Sequence, residues 1–207
     1  MLPLRTDIRY VAADGKMTQA GVEAIQGQLD EGSTATTALT TRVATIEAGT
    51  IAASLIRLQA AVAASGQTSI DRTGIPSWAN RVTITPSLLS TSGTSDILIQ
   101  MGNGSFVTSG YVCNYQGFTG AATGLLTSTA GFIIDVDAAA NQQSGTITLT
   151  RQSGNTWVAT GGIRRNGSSS GVLAGEIALA GALDRVRVTT VIGTDTFDAG
   201  SVSFSWE

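Results

Sequence analysis

The chain has 207 residues, of which 12 are basic and 15 acidic, so its net charge is about −3. This balance argues against nucleic acid as the main partner, because phosphate contacts need clustered lysines and arginines. The length suggests one or two domains. Histidine is absent, which removes the commonest general base and metal ligand from any site that the chain builds by itself. We therefore expect no enzyme activity, no cofactor and no bound metal.

Cysteine and apolar patterning bear on the cellular compartment. Cys113 is the single cysteine, so no intrachain disulfide can form. Its strand-like surroundings favour a buried, unreactive side chain. No run of 18 apolar residues occurs, and residues 1–20 lack the apolar core of a signal peptide. The sequence thus indicates a soluble protein that is made in a cytoplasm and does not insert into membranes.

Residues 1–20 form a segment that differs in pattern from the rest of the chain. The segment contains a turn signal at Asp14-Gly15. It also contains a few apolar residues, which are too few to form a core, so we expect the segment to dock on another protein. A frayed terminus is the alternative. The apolar residues are Leu2, Leu4, Ile8 and Tyr10.

A heptad pattern begins after this segment. Apolar residues recur at steps of three and four from residue 22 to residue 46, with Gly32 and Thr36 filling the gap. This spacing is typical of the a/d seam of a coiled coil. A second run begins after a step of five, so we expect a break or local unwinding at Gly49. The predicted seam comprises Val22, Ile25, Leu29, Leu39, Val43, Ile46, Ile51, Leu55, Leu58 and Val62.

A helix with this seam is marginal alone, because Gly27, Gly32 and the threonine-rich stretch 34–41 lower its helix propensity. Burial by association supplies roughly 1.5–3 kcal/mol for each seam side chain, so the chain is predicted to be oligomeric. Isoleucine and leucine mixed over both seam positions favour three strands. We predict that residues 21–65 form a trimeric coiled-coil stalk. The alternative is an amphipathic helical hairpin packed on the rest of the chain.

From residue 66 onward, short alternating runs are separated by Gly, Ser, Thr and Asn. In residues 145–150, for example, isoleucine and leucine alternate with threonine. Such alternation is typical of strands with one buried face. We predict a mainly β domain over 66–207, in the form of a jelly-roll-like β-sandwich. The predicted strands are 81–85, 96–101, 110–115, 131–136, 145–151, 156–163, 175–180, 183–191 and 201–206.

Two groups of acidic residues are candidates for chemistry. Asp135, Asp137 and Asn141 faintly resemble a calcium loop but lack the remaining ligands, so a solvated loop is the favoured interpretation. Asp195 and Asp198 could serve as the paired carboxylates of a glycosidase. Such residues also cap turns in many β proteins, and turn capping is the favoured interpretation here.

Five aromatic residues are candidates for stacking on sugars, but a structural role is favoured for each. Trp157 and Trp206 lie at inward positions of predicted strands. Trp78, which precedes the first predicted strand, is expected to plug the base of the β domain. The five residues are Trp78, Tyr111, Tyr115, Trp157 and Trp206.

Five segments of the predicted β domain share a recognisable pattern: 74–84 (GIPSWANRVTI), 90–95 (STSGTS), 153–157 (SGNTW), 183–190 (LDRVRVTT) and 193–201 (GTDTFDAGS). Together they resemble a pattern common in the heads of bacteriophage tail fibres and virion appendages. The resemblance spans roughly residues 67–207 and implies a trimeric fibre with a β-sandwich head, carried on a phage or prophage particle. Residues 11–18 also resemble a segment near the start of other phage structural proteins.

The resemblance leads to a hypothesis of function. The chain would be a homotrimeric fibre of the virion, anchored to other virion proteins by residues 1–20, with a head that attaches to a host-surface glycan or protein. We expect receptor contacts in the loops around 102–109, 116–130 and 164–172, since loops on a rigid scaffold usually carry binding. The alternative is a capsid-decorating or assembly fibre without obligatory receptor binding. A polysaccharide depolymerase is disfavoured by the missing histidine and the sparse carboxylates.

Overall fold

A computed structural model describes residues 19–54, 56–119, 122–139, 141–166 and 169–207, with the side chains of residues 21, 43–54 and 122 excepted. The predicted anchor over residues 1–20 lies outside the described residues, apart from its last two positions. The chain divides into two compact units, Met1–Ala52 and Ala53–Glu207.

The first unit contains one long helix, α1, which spans Gln19–Ser54. The helix continues through Gly49, so the predicted break there is wrong, as is the alternative of a helical hairpin. A glycine costs a helix about 1 kcal/mol relative to alanine, but it keeps its backbone N–H and does not interrupt the hydrogen-bond ladder. The threonines are accommodated by bonds to carbonyls one turn earlier, such as Thr40 Oγ1 to Thr36 O at 2.9 Å.

The helix ends before the last two predicted seam residues. Leu58 lies in strand β1 (Arg57–Leu58) and Val62 lies in strand β2 (Val62–Ala63). Their assignment to a helical seam is therefore wrong. Both strands pair with the C-terminal strand, Phe197–Trp206. Backbone hydrogen bonds to that strand replace the helical ones, and this competition explains why the apolar spacing does not continue the helix.

The second unit consists of strands, which form two antiparallel sheets in the described residues. After β1 and β2, the strands are β3 (Ser69–Thr73), β4 (Arg81–Thr91), β5 (Ile97–Asn103), β6 (Ser105–Phe106), β7 (Val112–Thr119), β8 (Ala122–Ser128), β9 (Phe132–Ile134), β10 (Gln143–Ser153), β11 (Thr156–Arg165), β12 (Ser169–Ala178), β13 (Arg185–Thr190) and β14 (Phe197–Trp206).

The two sheets differ in size. The large sheet has the order β1-β14-β4-β10-β11-β12-β7-β8, with β2 also paired to β14. The small sheet has the order β3-β13-β5-β6, with β9 also paired to β5. The prediction of a mainly β chain is confirmed, and each predicted strand overlaps an observed one. Residues 116–130, which were expected to be a loop, instead contain most of the β7–β8 hairpin.

The apolar faces of the two sheets share one core. On β10, Ile147 and Leu149 are buried, whereas Thr146 and Thr150 are exposed, which confirms the predicted alternation. Each fully buried side chain of this kind contributes roughly 1.5–3 kcal/mol. Burial of these side chains therefore supplies the main stabilising term of the second unit, and it leaves the other face of the large sheet, here called the outer face, open to solvent.

The strands of the large sheet run between two opposite ends of the second unit. The chain enters the sheet at Arg57, which pairs with Trp206 at the end of β14, and we call this the entry end. At the other end of the strands, Thr119 of β7 pairs with Ser169 of β12, and we call this the far end. Near the entry end, a row of cross-strand partners runs through Arg81, Thr150, Val158 and Glu176.

Gly200 allows a close approach between β14 and β4. Its φ is +85°, and a Cβ at this position would lie 2.2 Å from Leu88 O. We expect Gly200→Ala to lower the free energy of unfolding by more than the roughly 1–2 kcal/mol that a left-handed alanine costs by itself. Gly154→Ala is the control, because Gly154 also has a positive φ, +53°, but has open space at its Cβ position. If thermal unfolding showed that Gly200→Ala and Gly154→Ala lose equal stability, the close approach at Gly200 would be contradicted.

Candidate functional site

The helical part of the predicted seam presents apolar side chains to solvent. Val22, Ile25, Leu29 and Leu39 lie on α1 and are 37–62% exposed. At 100° per residue they fall within an arc of about 100° on one side of the helix. The rest of the helical seam is not described at the side-chain level, since Val43, Ile46 and Ile51 lie on α1 without described side chains and Leu55 lies outside the described residues.

The three regions expected to carry receptor contacts do not form one site. Residues 116–130 and 164–172 meet at the far end, where the hydroxyl oxygens of Thr119 and Ser169 are 3.1 Å apart. Residues 102–109 lie at the entry end instead. The segment after β12 at that end leads to Asp184, whose N–H donates to Gly102 O at 3.0 Å.

A buried arginine fastens the segment 135–137 to the far end. Arg165 is the last residue of β11, and its side chain is only 7% exposed. Its Nη1 donates to Asp135 Oδ2 at 2.7 Å, and its Nη2 lies 3.7 Å from Asp137 Oδ2. Asp96 Oδ1 accepts a hydrogen bond from Val136 N at 3.0 Å. These four side chains, Asp96, Asp135, Asp137 and Arg165, are here called the Arg165 cluster.

Within the Arg165 cluster, Asp96 has a perturbed pKa, and burial is the main cause. Burial raises the pKa of Asp96, and the nearby carboxylates of Asp135 and Asp137 raise it further, against the hydrogen bond from Val136 and the charge of Arg165. Asp96 therefore keeps its proton to a higher pH than an exposed aspartate does. Burial also raises the pKa of the adjacent Tyr115 to about 12, with a smaller contribution from Asp135.

The geometry distinguishes the interpretations of the acidic residues. Asp135 and Asp137 lie beside the Arg165 guanidinium, whose positive charge is 2.7 Å from Asp135 and 3.7 Å from Asp137. Within the described part of the chain, no group of three or more His, Cys, Asp or Glu side chains is placed to hold a metal. Asp195 Oδ2 accepts from Ser95 N at 3.0 Å, and Asp198 accepts from a serine hydroxyl. The Asp195 contact fits turn capping, whereas Asp198 lies in β14 and bonds across the sheet to Ser90 of β4, so the turn-capping interpretation of Asp198 is wrong.

The small sheet carries arginines that are already engaged. The guanidinium of Arg187 forms two hydrogen bonds with Asp71, of 2.8 and 2.7 Å, and lies 4.0 Å from the ring centre of Phe106. Arg185 forms a similar pair of bonds with Asp184. These charges are satisfied within the sheet, so they are poorly placed to recognise a ligand.

Most of the aromatic candidates belong to the core. Trp157, Trp206, Tyr111 and Tyr115 are buried, in agreement with a structural role. Trp78 is exposed, so its expected role as a plug of the domain base is wrong.

Cys113 is a buried free thiol, as predicted. Burial raises the pKa of Cys113, against the hydrogen bond from Ile133 N. A raised pKa keeps the side chain in its less reactive thiol form.

A shallow groove of about 420 Å³ opens on the outer face towards the entry end. Hydroxyl groups of Thr83, Thr148 and Ser205 line it, and the ion pair of Arg81 with Glu207 lies at its side. These groups can hydrogen-bond to a polar partner. The groove is distinct from the Arg165 cluster, which lies at the other end of the strands.

Comparisons with known proteins add no assignment. No protein-family model matches the chain, and no curated protein matches it. Among the described residues, no helix is both long and apolar enough to cross a lipid bilayer.

Asp96 predicts a pH dependence of stability. A raised pKa in the folded state means that the folded chain binds this proton more tightly than the unfolded chain does. Stability should therefore fall as the pH rises from 3.8, the ordinary value, to the folded-state pKa of Asp96. Asp96→Asn should abolish this fall, as measured by urea unfolding at a series of pH values.

Asp71 provides a control of opposite sign. The hydrogen bonds from Arg187 lower the pKa of Asp71, so its stabilising contribution is present above pH 3.8 and is lost as the pH falls through the lowered value. Asp71→Asn should remove that loss and leave the dependence on Asp96 unchanged. If the stability of Asp96→Asn depended on pH as that of the wild type does, the assignment of the fall in stability to Asp96 would be contradicted.

Proposed function

We propose that the chain is a homotrimeric fibre protein of a bacteriophage particle. In this proposal residues 1–20 bind other virion proteins, α1 belongs to a trimeric coiled-coil stalk, and the β unit is a jelly-roll-like sandwich that attaches the particle to a host surface, through a glycan. The trimeric stalk, the anchor and the attachment to a host are all parts of the proposal.

The observation that carries the proposal is the exposure of the apolar seam on α1. Val22, Ile25, Leu29 and Leu39 share one side of a helix whose composition makes it marginal alone. Each side chain gains roughly 1.5–3 kcal/mol when it is buried. Association of helices from several copies buries the seam, and heptad spacing is the pattern that such association requires.

The direction of the strands supports attachment through the far end. The chain enters the β unit at the entry end, so the far end is the part of the unit most remote, along the strands, from the connection to α1. Two of the three regions expected to bind meet there. In a trimer three such ends act together, and binding at three weak sites gives an apparent affinity above that of one site.

Leu39→Asp tests the seam. Leu39 is exposed on α1 and lies at a predicted seam position, so a carboxylate there would be buried without a partner in the trimer and should disrupt the assembly. Ala38→Asp is the matched control, because the adjacent position lies outside the seam. We expect sedimentation equilibrium to give a trimer for the wild type and for Ala38→Asp, and a smaller species for Leu39→Asp. A monomeric wild type would refute the coiled coil.

Attachment is tested on particles. Particles that lack this protein should adsorb poorly to their host, and the purified full-length chain should bind host cells and compete with intact particles. Full adsorption and infectivity without the protein would overturn attachment and favour a decorating or assembly fibre. Release of reducing sugar from host polysaccharide by the purified chain would favour a depolymerase instead.

A further inference from the structure

Five side chains form a continuous row across the outer face near the far end. The row crosses β7, β12, β11, β10 and β4 in the order of the large sheet. Cross-strand pairing places Phe118 beside Ser170, Ser170 beside Arg164, and Arg164 beside Ser144. Leu88 completes the row, because its N–H donates to Ser144 Oγ at 2.8 Å. The outer row, as we call it, consists of Phe118, Ser170, Arg164, Ser144 and Leu88.

Leu88 is held in the row by unusual backbone geometry. Its φ is +50°, which is rare for a bulky residue and costs free energy. The pairing of β4 with both β10 and β14 shifts register around it. The result is a leucine residue that is 49% exposed. Strain of this kind persists at ligand clamps and next to binding sites, where a bulge re-aims a side chain.

Arg164 is an available cation in the middle of the row. It is exposed, and no carboxylate of the described residues forms an ion pair with it. In the described β unit the other arginines bond to carboxylates or carbonyls or stack on a ring, with the exception of Arg57 at the entry end. Its neighbour Arg165 points to the opposite face and is buried. Arg164 is therefore the cation that the far end offers to an external anion.

The other members of the row have complementary chemistry. Phe118 is 41% exposed and presents an aromatic surface at one end, and Leu88 presents an apolar surface at the other. Ser144 and Ser170 supply hydroxyl groups between them. Adjacent strands are about 4.8 Å apart, so five strands give a row about 19 Å long. A ligand that fits the row is extended, has apolar and hydroxylated parts, and carries negative charge near its middle.

We propose that the outer row binds an acidic saccharide, with a carboxylate or phosphate of a sugar on the Arg164 guanidinium. A guanidinium matches the two oxygens of a carboxylate or phosphate with two parallel hydrogen bonds. Sugar hydroxyls bond to Ser144 and Ser170, and the apolar faces of sugar rings pack on Phe118 and Leu88. The proposal deepens, and rests on, the proposed function as an attachment fibre.

The test uses the full-length chain and a panel of immobilised oligosaccharides that carry hexuronate, sialate or sugar phosphate, together with neutral counterparts. The wild type should bind acidic members, and more weakly at high salt, since the contact is an exposed ion pair. Arg164→Gln should lower that affinity about tenfold or more, because a charge-assisted hydrogen bond is lost. Arg57→Gln is the matched control, and it should bind as the wild type does.

A second pair of variants tests the aromatic surface. Phe118→Ala should weaken binding, whereas Leu125→Ala, which removes another exposed apolar side chain of the β7–β8 hairpin, should not. All four variants change exposed side chains, so thermal unfolding should show that they remain folded.

The possible results distinguish a failure of the outer row as the binding site from a failure of the proposed attachment function. Binding to acidic saccharides that survives Arg164→Gln would overturn the row and leave attachment intact. Two results would overturn the ligand class alone. In the first, the wild type binds host cells but binds no acidic saccharide. In the second, its binding to host cells is lost when the cells are treated with protease. Binding to neither cells nor saccharides would overturn the row and the attachment function together.

Discussion

The β unit depends on the contact between the apolar faces of its two antiparallel sheets. Because side chains alternate along a strand, the residues that enter this core decide which neighbours face outward. Ile163 and Arg165 are buried, and Arg164 between them therefore projects from the outer face. A slip of one residue in the pairing of β11 would exchange these roles and bury the wrong set. The core thus fixes the display of polar groups as firmly as it fixes the fold.

Two adjacent arginines at the end of β11 have opposite environments. Arg165 is buried and neutralises Asp135, which fastens the segment 135–137 at the far end. Arg164 has no such partner among the described residues and is exposed. A buried charge must be paired, because its desolvation is costly, whereas an exposed charge loses little by remaining unpaired. The difference between the two residues is one of face and not of chemistry.

The parts of this structure that could be predicted from sequence are those governed by local periodicity. The alternation in residues 145–150 predicted the burial of Ile147 and Leu149 on β10. The apolar spacing of three and four predicted α1, but the same spacing extended to Leu58 and Val62, where pairing with a strand more than 130 residues away overrides it. Periodicity carries no information about such distant partners.

The contacts of the Arg165 cluster and the positions of the outer-row residues were less predictable, because several of them also depend on residues far apart in the sequence. The contact of Arg165 with Asp135 joins residues 30 positions apart, and nothing in the local sequence marks either of them as paired. The exposure of Phe118 on the outer face could have been predicted. Phe118 is an even number of residues from the exposed Val112 and Asn114, and it faces away from the buried Tyr115. The exposed Leu88 could not have been predicted, since its position depends on register shifts in two neighbouring ladders. Irregular pairing is a property of the assembled sheet.

The segment that leads from α1 into the sheet has a mechanical consequence. From Arg57 the chain runs along β14 towards the far end, and it is held by backbone bonds from Gln59, Ala64 and Gly66, of 2.8, 3.0 and 2.7 Å. A pull on the chain at the entry end, directed along the strands, loads these bonds side by side and in shear. Peeling would break them one after another, whereas shear requires them to fail together. The backbone bonds between residues 59–66 and β14 are therefore suited to bearing tension where the preceding chain joins the β unit.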